Sequence, residues 1–448
     1  MSQTERIQRR GWRGLLVDLE PVKRDRDFRM IWLGQLVNGL GRQVTVVALP
    51  FELWQLTHNS LSIGALALVQ LVPILIFSLG GGAVADAVDR RRLLMATQIL
   101  LACTSVCLAL LALQPAPPVW ALYAVAFASA GIGAVDGPAR TSAIPRLVPR
   151  DRLPAAIAVN WLSGQTVAVA GPVFAGVLIA TSGVAAAFAF DVVTFIASLV
   201  ALLVIAPIPP NPNARRPSLR SIAEGLAFAR DRRIVLATFA IDFDAMVFGM
   251  PSALFPQLAL TVFNTGPAGY GLLNAAPAVG ALIGATLSGW IGRVRRPGRG
   301  IVAAVAGWGA AIVAFGLITA SFPIALVCLA VAGGADVVSA VLRSSIVQLA
   351  TPDQLRGRLS SIHMLVVTSG PRIGDAEAAA VAAVAGPQFS VVSGGVMCLV
   401  GLIVVVRLFP QLMGYEHAPY EHGNALGAAV DAGTDPGLAP PPGPTDPA

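Results

Sequence analysis

The sequence predicts an all-α polytopic membrane protein: twelve transmembrane helices in two six-helix, pseudo-symmetric bundles. Three observations carry this expectation. Of the 448 residues, 55% are hydrophobic and only 12% charged, where a soluble domain carries about 25% charged residues. Runs of about 20 apolar residues recur, each long enough to cross a ~30 Å hydrocarbon core as a helix. The basic residues gather on one side of these runs, as the positive-inside rule requires of a membrane protein.

In chain order, the apolar runs cover 28–56, 61–85, 93–114, 119–141, 155–181 and 184–207, then 234–262, 268–291, 300–321, 324–349, 359–384 and 389–408. Residues 1–27 read as a charged cytoplasmic segment without a cleavable signal, and 28–208 as the first bundle. Residues 209–233 form a polar cytoplasmic linker, with an interfacial helix expected from Ser218 onward. The second bundle is 234–409, and 410–448, rich in Pro, Gly, Ala and Asp, reads as a disordered cytoplasmic tail. Its histidines, His417 and His422, read as solvated, so no metal site and no cofactor is expected.

Almost all of the 31 Lys and Arg residues flank the inner ends of the runs, whereas the connectors "THNS", "PAPP", "NTGPAG" and "AGPQ" have none. Both termini are therefore expected in the cytoplasm. This placement explains the +7 net charge without nucleic acid as a partner. Cys103, Cys107, Cys328 and Cys398 fall inside runs and read as small core fillers. The Ala- and Arg-rich composition, with Lys23 the only lysine, points to a high-GC bacterium and so to a bacterial plasma membrane.

The two halves echo each other. "ARTSAIPRLVPRDRLP" closes the fourth run and "LRSSIVQLATPDQLRG" the tenth, aligning Arg140 with Arg343 at an offset of 203 residues. Parallel six-helix repeats place a substrate site near the bilayer midplane between the halves. After the second run, "GGGAVADAVDRRRLL" sets Gly82 four residues before Asp86 and ahead of the basic trio Arg90, Arg91 and Arg92, a candidate cytoplasmic gate with a plain positive-inside loop as the alternative. Gly82 permits close helix approach, and Asp86 can pair with an arginine or a helix N-terminus. Asp136 and Arg140, four residues apart, are expected to pair nearby with a structural or gating role, and Arg343 is their counterpart. In the fifth run, Gly171, Pro172 and Gly176 combine a kink with small residues suited to tight packing.

The "GGGAVADAVDRRRLL" stretch resembles the loop 2–3 signature of the major facilitator superfamily, with Ala87 and Asp89 departing from it, and "AGPVFAGVL" resembles the end of its antiporter motif. "FRMIWLGQLVNGLGRQVTVVALPF", "PARTSAIPRLVP", "AMVFGMPSALFP" and "GDAEAAAVAAVAG" together look like its enterobactin-exporter-like, or transmembrane secretion effector, branch. That resemblance implies twelve spans and proton-driven export of small molecules, siderophores and drugs among them. It also implies that the first, fourth, seventh and tenth helices line a central cavity.

Charges inside membrane helices are costly and functional by default. Arg42 and Asp336 lie midway along their runs, and Asp242 and Asp244 about a third of the way into the seventh. The two aspartates point about 200° apart, so only one can face a cavity. The offset of 203 sets Arg42 against position 245, so Asp244 is expected to meet Arg42 across the seam as the coupling carboxylate, with a purely structural salt bridge as the alternative. In "SGPRIGDAEAAA", Gly370-Pro371 is expected to interrupt the helix and Arg372 to meet Asp375, leaving Glu377 as a second proton carrier. Asp191 reads as a hydrogen-bond anchor. Phe51, Trp54, Trp161, Met246, Phe248 and Met250 are candidates for an apolar substrate lining, with helix packing as the alternative.

The chemistry thus points away from an enzyme. No Ser/His/Asp set, H-E-x-x-H or nucleotide-binding loop is present, and the histidines are scattered. The expectation is a monomeric secondary-active exporter exchanging protons for a small amphipathic molecule. Proton-coupled uptake of a nutrient is the alternative on the same architecture.

Overall fold

Helices dominate the computed structural model, which describes residues 18–208, 230, 232–351 and 353–416; within these, the side chains of 78–87, 292–293, 353–358 and 360–361 are outside the description. The expected segment before residue 18, the linker over 209–229 and the tail from 417 also lie outside the described residues. The first four long helices are α1 (Arg26–Thr57), α2 (Ser60–Ala87), α3 (Arg90–Ala112) and α4 (Val119–Leu147). A 52-residue stretch, Leu153–Val204, breaks at Gly183, whose φ of 81° disfavours any side chain. It therefore supplies α5 over 153–182 and α6 over 184–204. After α7 (Arg233–Phe248) come a 3₁₀ turn, Ser252–Leu254, and a π-helical turn, Leu258–Val262. The chain then forms α8 (Gly266–Thr286), α9 (Pro297–Leu317), α10 (Phe322–Ala350), α11 (Asp353–Ala385) and α12 (Pro387–Leu408).

Each expected apolar run coincides largely with one of these helices, except 234–262, whose second half holds the break and the short turns after α7, and no strand occurs among the described residues. Nine helices among the described residues are long and apolar enough to cross a membrane, with the stretch containing α5 and α6 counted once. α1 and α11, at 32 and 33 residues, have the length but are more polar. The short connectors follow from local chemistry. His58 ends α1 in the left-handed region (φ 47°), and the Asn59 side chain accepts the Leu61 N–H at 2.9 Å to start α2. Asp89 does the same for α3 by accepting the Arg92 N–H at 3.1 Å.

With little hydrophobic drive between helices in lipid, packing depends on small residues that let backbones approach. In the first half, α1 lies between α5 and α6, with Gly171 of α5 against Gln43 and Gly41 of α1 against Asp191 and Thr194 of α6. The second half repeats this with α7 between α11 and α12: Gly374 of α11 faces the Val247 carbonyl, and Gly401 of α12 faces Asp244. Gly41 and Asp244 occupy equivalent places at the offset of 203, so the glycine and the carboxylate have changed sides of the same joint.

The two halves meet at the face away from the described chain ends, called here the far face. A methyl group on Gly176 of α5 would come within 2.7 Å of the Pro267 carbonyl oxygen of α8, and within 3.0 Å of Gly271. Gly64 of α2 lies against Ala376 and Ala379 of α11. Phe51 stacks on Tyr270 with centroids 5.7 Å apart, Ser60 donates to Gln257 at 3.3 Å, and Trp54, Ile63 and Ala253 form one buried cluster. Towards the near face, open space lies beside Gly133, Gly137 and Gly164, and Trp161 and Met364 are exposed. The close contacts between the halves thus gather at the far face.

Candidate functional site

The polar core of the second half is built from α7, α10 and α11. Asp242, nine residues into α7 and so ~14 Å from its start, is fully buried. Arg343 reaches it from α10, with one guanidinium nitrogen 2.7 Å from Asp242 Oδ1 and 3.7 Å from Asp336 Oδ1. The other terminal nitrogen of Arg343 donates to Ser339 Oγ, one turn back on α10, at 2.9 Å. His363 of α11 brings Nδ1 to 3.6 Å from Asp242 Oδ2, and its ring stacks on Phe239 at 6.1 Å. Asp242, Arg343, His363 and Phe239 border a cavity of about 100 Å³, also lined by Thr238, Ser344, Gln348 and Thr351.

Burial of this kind forces the charges to balance. One guanidinium faces two carboxylates, so the trio holds one excess negative charge that a proton on a carboxylate or on His363 would cancel. Neither Asp242 oxygen takes a well-aligned hydrogen bond among the described residues. The pair is therefore held by charge proximity, an arrangement that a single proton can release. No group of three or more His, Cys, Asp or Glu among the described residues is placed to hold a metal ion.

Just beyond the site, α7 breaks after Phe248, close to Pro251 and Pro256. Both sides of the break are held by other helices. The indole of Trp308, on α9, donates to the Gly249 carbonyl at 2.7 Å, and Asp375 of α11 accepts from Ser252 Oγ at 2.6 Å and the Ala253 N–H at 2.8 Å. These bonds satisfy backbone groups that an interrupted helix would leave unpaired in a membrane.

Several expected contacts are corrected. Asp244 does not meet Arg42. Its side chain points into the α7–α12 joint, where a methyl on Gly401 would lie within 1.8 Å of it. The equivalent of Asp244 in the first half is Gly41, which faces α6, so the alignment that set it near Arg42 also turns it away from the seam. Arg42 is exposed midway along α1 and makes no ion pair within 4.0 Å among the described residues. Pro371 does not interrupt α11, which runs unbroken from Asp353 to Ala385. Asp375, expected to pair with Arg372, spends its hydrogen bonds on the α7 break, and no ion pair within 4.0 Å joins the two among the described residues. Glu377 is partly buried, without an ion pair or hydrogen bond among the described residues.

The remaining sequence candidates divide by half. Asp136 pairs with Arg140 at 3.0 Å and accepts from Thr97 and Gln98. Arg90 donates to Ser142 at 3.0 Å, and Arg91 donates to the Leu202 and Leu203 carbonyls at the end of α6. Both bind within their own half; Arg92 is exposed, and the side chains of Gly82 and Asp86 lie outside the description. Asp191 is anchored by Thr45 and Ser105. Gly176, beside Pro172, forms the α5–α8 seam, while Gly171 packs within the first half. Phe51 and Trp54 plug the far face instead of lining a cavity, because their α1 segment is where the halves touch. Met246 packs on Gly370, Phe248 and Met250 border the core, and Trp161 is the one exposed member of that set. Sequence reasoning missed His363, Ser339 and Trp308. A lone Trp within an apolar run was the legible signal, since a buried indole N–H needs an acceptor.

A two-half helical membrane scaffold, with ionised side chains buried within it and a seam closed at one face, defines a transporter of the major facilitator fold. The chain belongs to the transmembrane secretion effector family, which it matches over residues 18–434. It is 27% identical over 408 residues to the enterobactin exporter EntS of Citrobacter koseri, covering 90% of this chain and 96% of that one. To the enterobactin exporter EntS of Escherichia coli O139:H28 it is 27% identical over 424 residues, covering 92% and 98%. Among solved structures, it resembles a POT family transporter in complex with 5-aminolevulinic acid, with TM-score 0.70 and 12% identity over 87% of this chain and 97% of that one. A bacterial homologue of the iron transporter ferroportin in an inward-facing state gives TM-score 0.65 and 15% identity, covering 87% and 99%. These structural likenesses concern the fold. The family and its relatives are transporters, not enzymes.

Proposed function

We propose that the protein exports a small amphipathic molecule of the siderophore class from a bacterial cytoplasm, in exchange for protons, by alternating access. The supporting observation is the buried Asp242–Arg343–Asp336 cluster, in a scaffold whose two halves pack closely at the far face. Near-complete coverage of two enterobactin exporters supports the substrate class and the direction. In this reading the near face is cytoplasmic, as are both termini, and a single chain suffices. The bundles 28–208 and 234–409 rock against each other, joined by the linker 209–233 and followed by the tail 410–448.

Asp242 is the coupling carboxylate, and its protonation releases Arg343 towards Asp336. Arg42, exposed midway along α1, suits an anionic or catecholate group. Asp136, Arg140 and the Arg90–Arg92 cluster form the near-face gate with Gly82 and Asp86, while Gly176 closes the far face. The experiment uses everted vesicles acidified inside, with enterobactin added outside. Export by antiport moves enterobactin inward and discharges the lumenal protons; proton release should disappear in Asp242→Asn. Enterobactin entry without proton release from the wild type would remove the coupling. Absence of both, together with no enterobactin retention in a deletion strain, would remove the substrate class.

A further inference from the structure

Within that exporter reading, we infer that His363 is the proton exit: it takes the coupling proton from Asp242 and delivers it to the near face. The inference rests on position. Asp242 is fully buried, whereas the His363 side chain beside it is 36% exposed and lines the same cavity. Its Nδ1 is 3.6 Å from Asp242 Oδ2, a separation that a half-ångström movement or one water bridges. The adjoining cavity of about 100 Å³ has room for roughly three waters. Phe239, stacked on the imidazole, holds the ring in the plane that makes this approach.

The step balances as a proton transfer. The O–H bond at Asp242 Oδ2 breaks, an N–H bond forms at Nδ1, and the imidazolium then loses its Nε2 proton to cavity water. Asp242 is left ionised and pairs again with Arg343. Among the described residues, the charged groups beside His363 are Asp242 from α7, 3.6 Å away, and Arg343 from α10, which lines the same cavity and holds Asp336 at 3.7 Å. With Asp242 ionised, this set holds one excess negative charge, which the imidazolium offsets while the proton is in transit. Histidine is the side chain suited to accept and release a proton around neutral pH.

The test separates proton delivery from substrate handling. In proteoliposomes, enterobactin counterflow needs the protein to bind and reorient, while accumulation against a gradient also needs the proton to leave. His363→Gln should lose accumulation driven by a pH gradient by roughly 100-fold and keep counterflow within about twofold of wild type. Driven accumulation that survives in His363→Gln would overturn the relay and leave the exporter reading standing. No driven accumulation in the wild type would remove the exporter reading and the relay together. Should His363→Gln lose counterflow as well, enterobactin binding by the purified variant decides. Either result there counts against the relay, since intact binding would make His363 part of the moving parts and lost binding part of the substrate site.

Discussion

At the residue scale, the two aspartates two positions apart in α7 have become two different structures. Asp242 faces Arg343, Asp336 and His363; Asp244 fills the space left by Gly401 on the other side of the helix. Removing a partner from a buried pair leaves the other charge uncompensated, at a cost of about 3–5 kcal/mol. Asp242→Ala should approach the lower end of that range, because Asp336 remains 3.7 Å from Arg343. The check is thermal unfolding of the detergent-purified protein, and adding Arg343→Leu to Asp242→Ala should recover part of the loss. Asp244→Asn should behave differently. It removes a buried carboxylate, one oxygen of which has no hydrogen-bond partner among the described residues, so stability and driven transport should both stay near wild type. Loss of proton coupling in Asp244→Asn with coupling intact in Asp242→Asn would reverse this assignment. The sequence made the presence and opposite facing of the two carboxylates legible, since both follow from the helical repeat. Which one turned inward was not legible, because it depends on Gly41 and Gly401, glycines that mark a close approach without saying to what.

At the scale of elements, the expected spans coincide with helices, because the apolar runs and their polar ends follow from the thickness of hydrocarbon they must cross. The exception is the seventh, which breaks after Phe248. The break in α7 was also signalled, by Pro251 and Pro256 just past Gly249. Its reinforcement was not, because Trp308 and Asp375 lie 59 and 123 residues from Gly249 and Ser252, on other helices. The same long-range bond explains why α11 was misread: Asp375 was assigned to its sequence neighbour Arg372 when its acceptor capacity goes to α7. A hinge clamped this way should loosen one side at a time. Trp308→Phe keeps the packing but leaves the Gly249 carbonyl without its donor, costing about 1–3 kcal/mol. Asp375→Ala should speed hydrogen exchange at the Ala253 amide, which it accepts in the structure. Exchange mass spectrometry over 249–257 reads both, and an Asp375→Ala profile matching wild type would show that the bond does not hold the break.

For the whole molecule, the side of the seam that closes is a property of two surfaces meeting, and no local pattern in either half announces it. Gly171, Pro172 and Gly176 announced tight packing, yet Gly171 serves the first half and Gly176 the seam. Gly176 and Gly271 each sit where a methyl would press on the opposite backbone, at 2.7 Å from Pro267 O and 2.4 Å from Pro172 O. Neither carbonyl can yield without moving its helix, so a side chain at Gly176 acts on the closed far face and leaves a state in which α5 and α8 are apart untouched. Overpacking of this kind costs about 1–3 kcal/mol, and a bias of that size changes a two-state ratio by roughly 5–150-fold. Gly176→Val should therefore shift the population towards a far-open, near-closed state. The probes are single cysteines in a background with Cys103, Cys107, Cys328 and Cys398 replaced. Met364→Cys, exposed on the near side, should be alkylated more slowly when Gly176→Val is added, and Ser60→Cys, buried in the far-face seal, more quickly. Gly271→Val should give the same pair of changes from the other half. If both rates stay at their parent values while the variant protein remains folded, the α5–α8 contact does not set the balance between the two faces. The closure would then rest on the other far-face contacts, Phe51–Tyr270, Trp54–Ile63–Ala253, Ser60–Gln257 and Gly64 against Ala376 and Ala379.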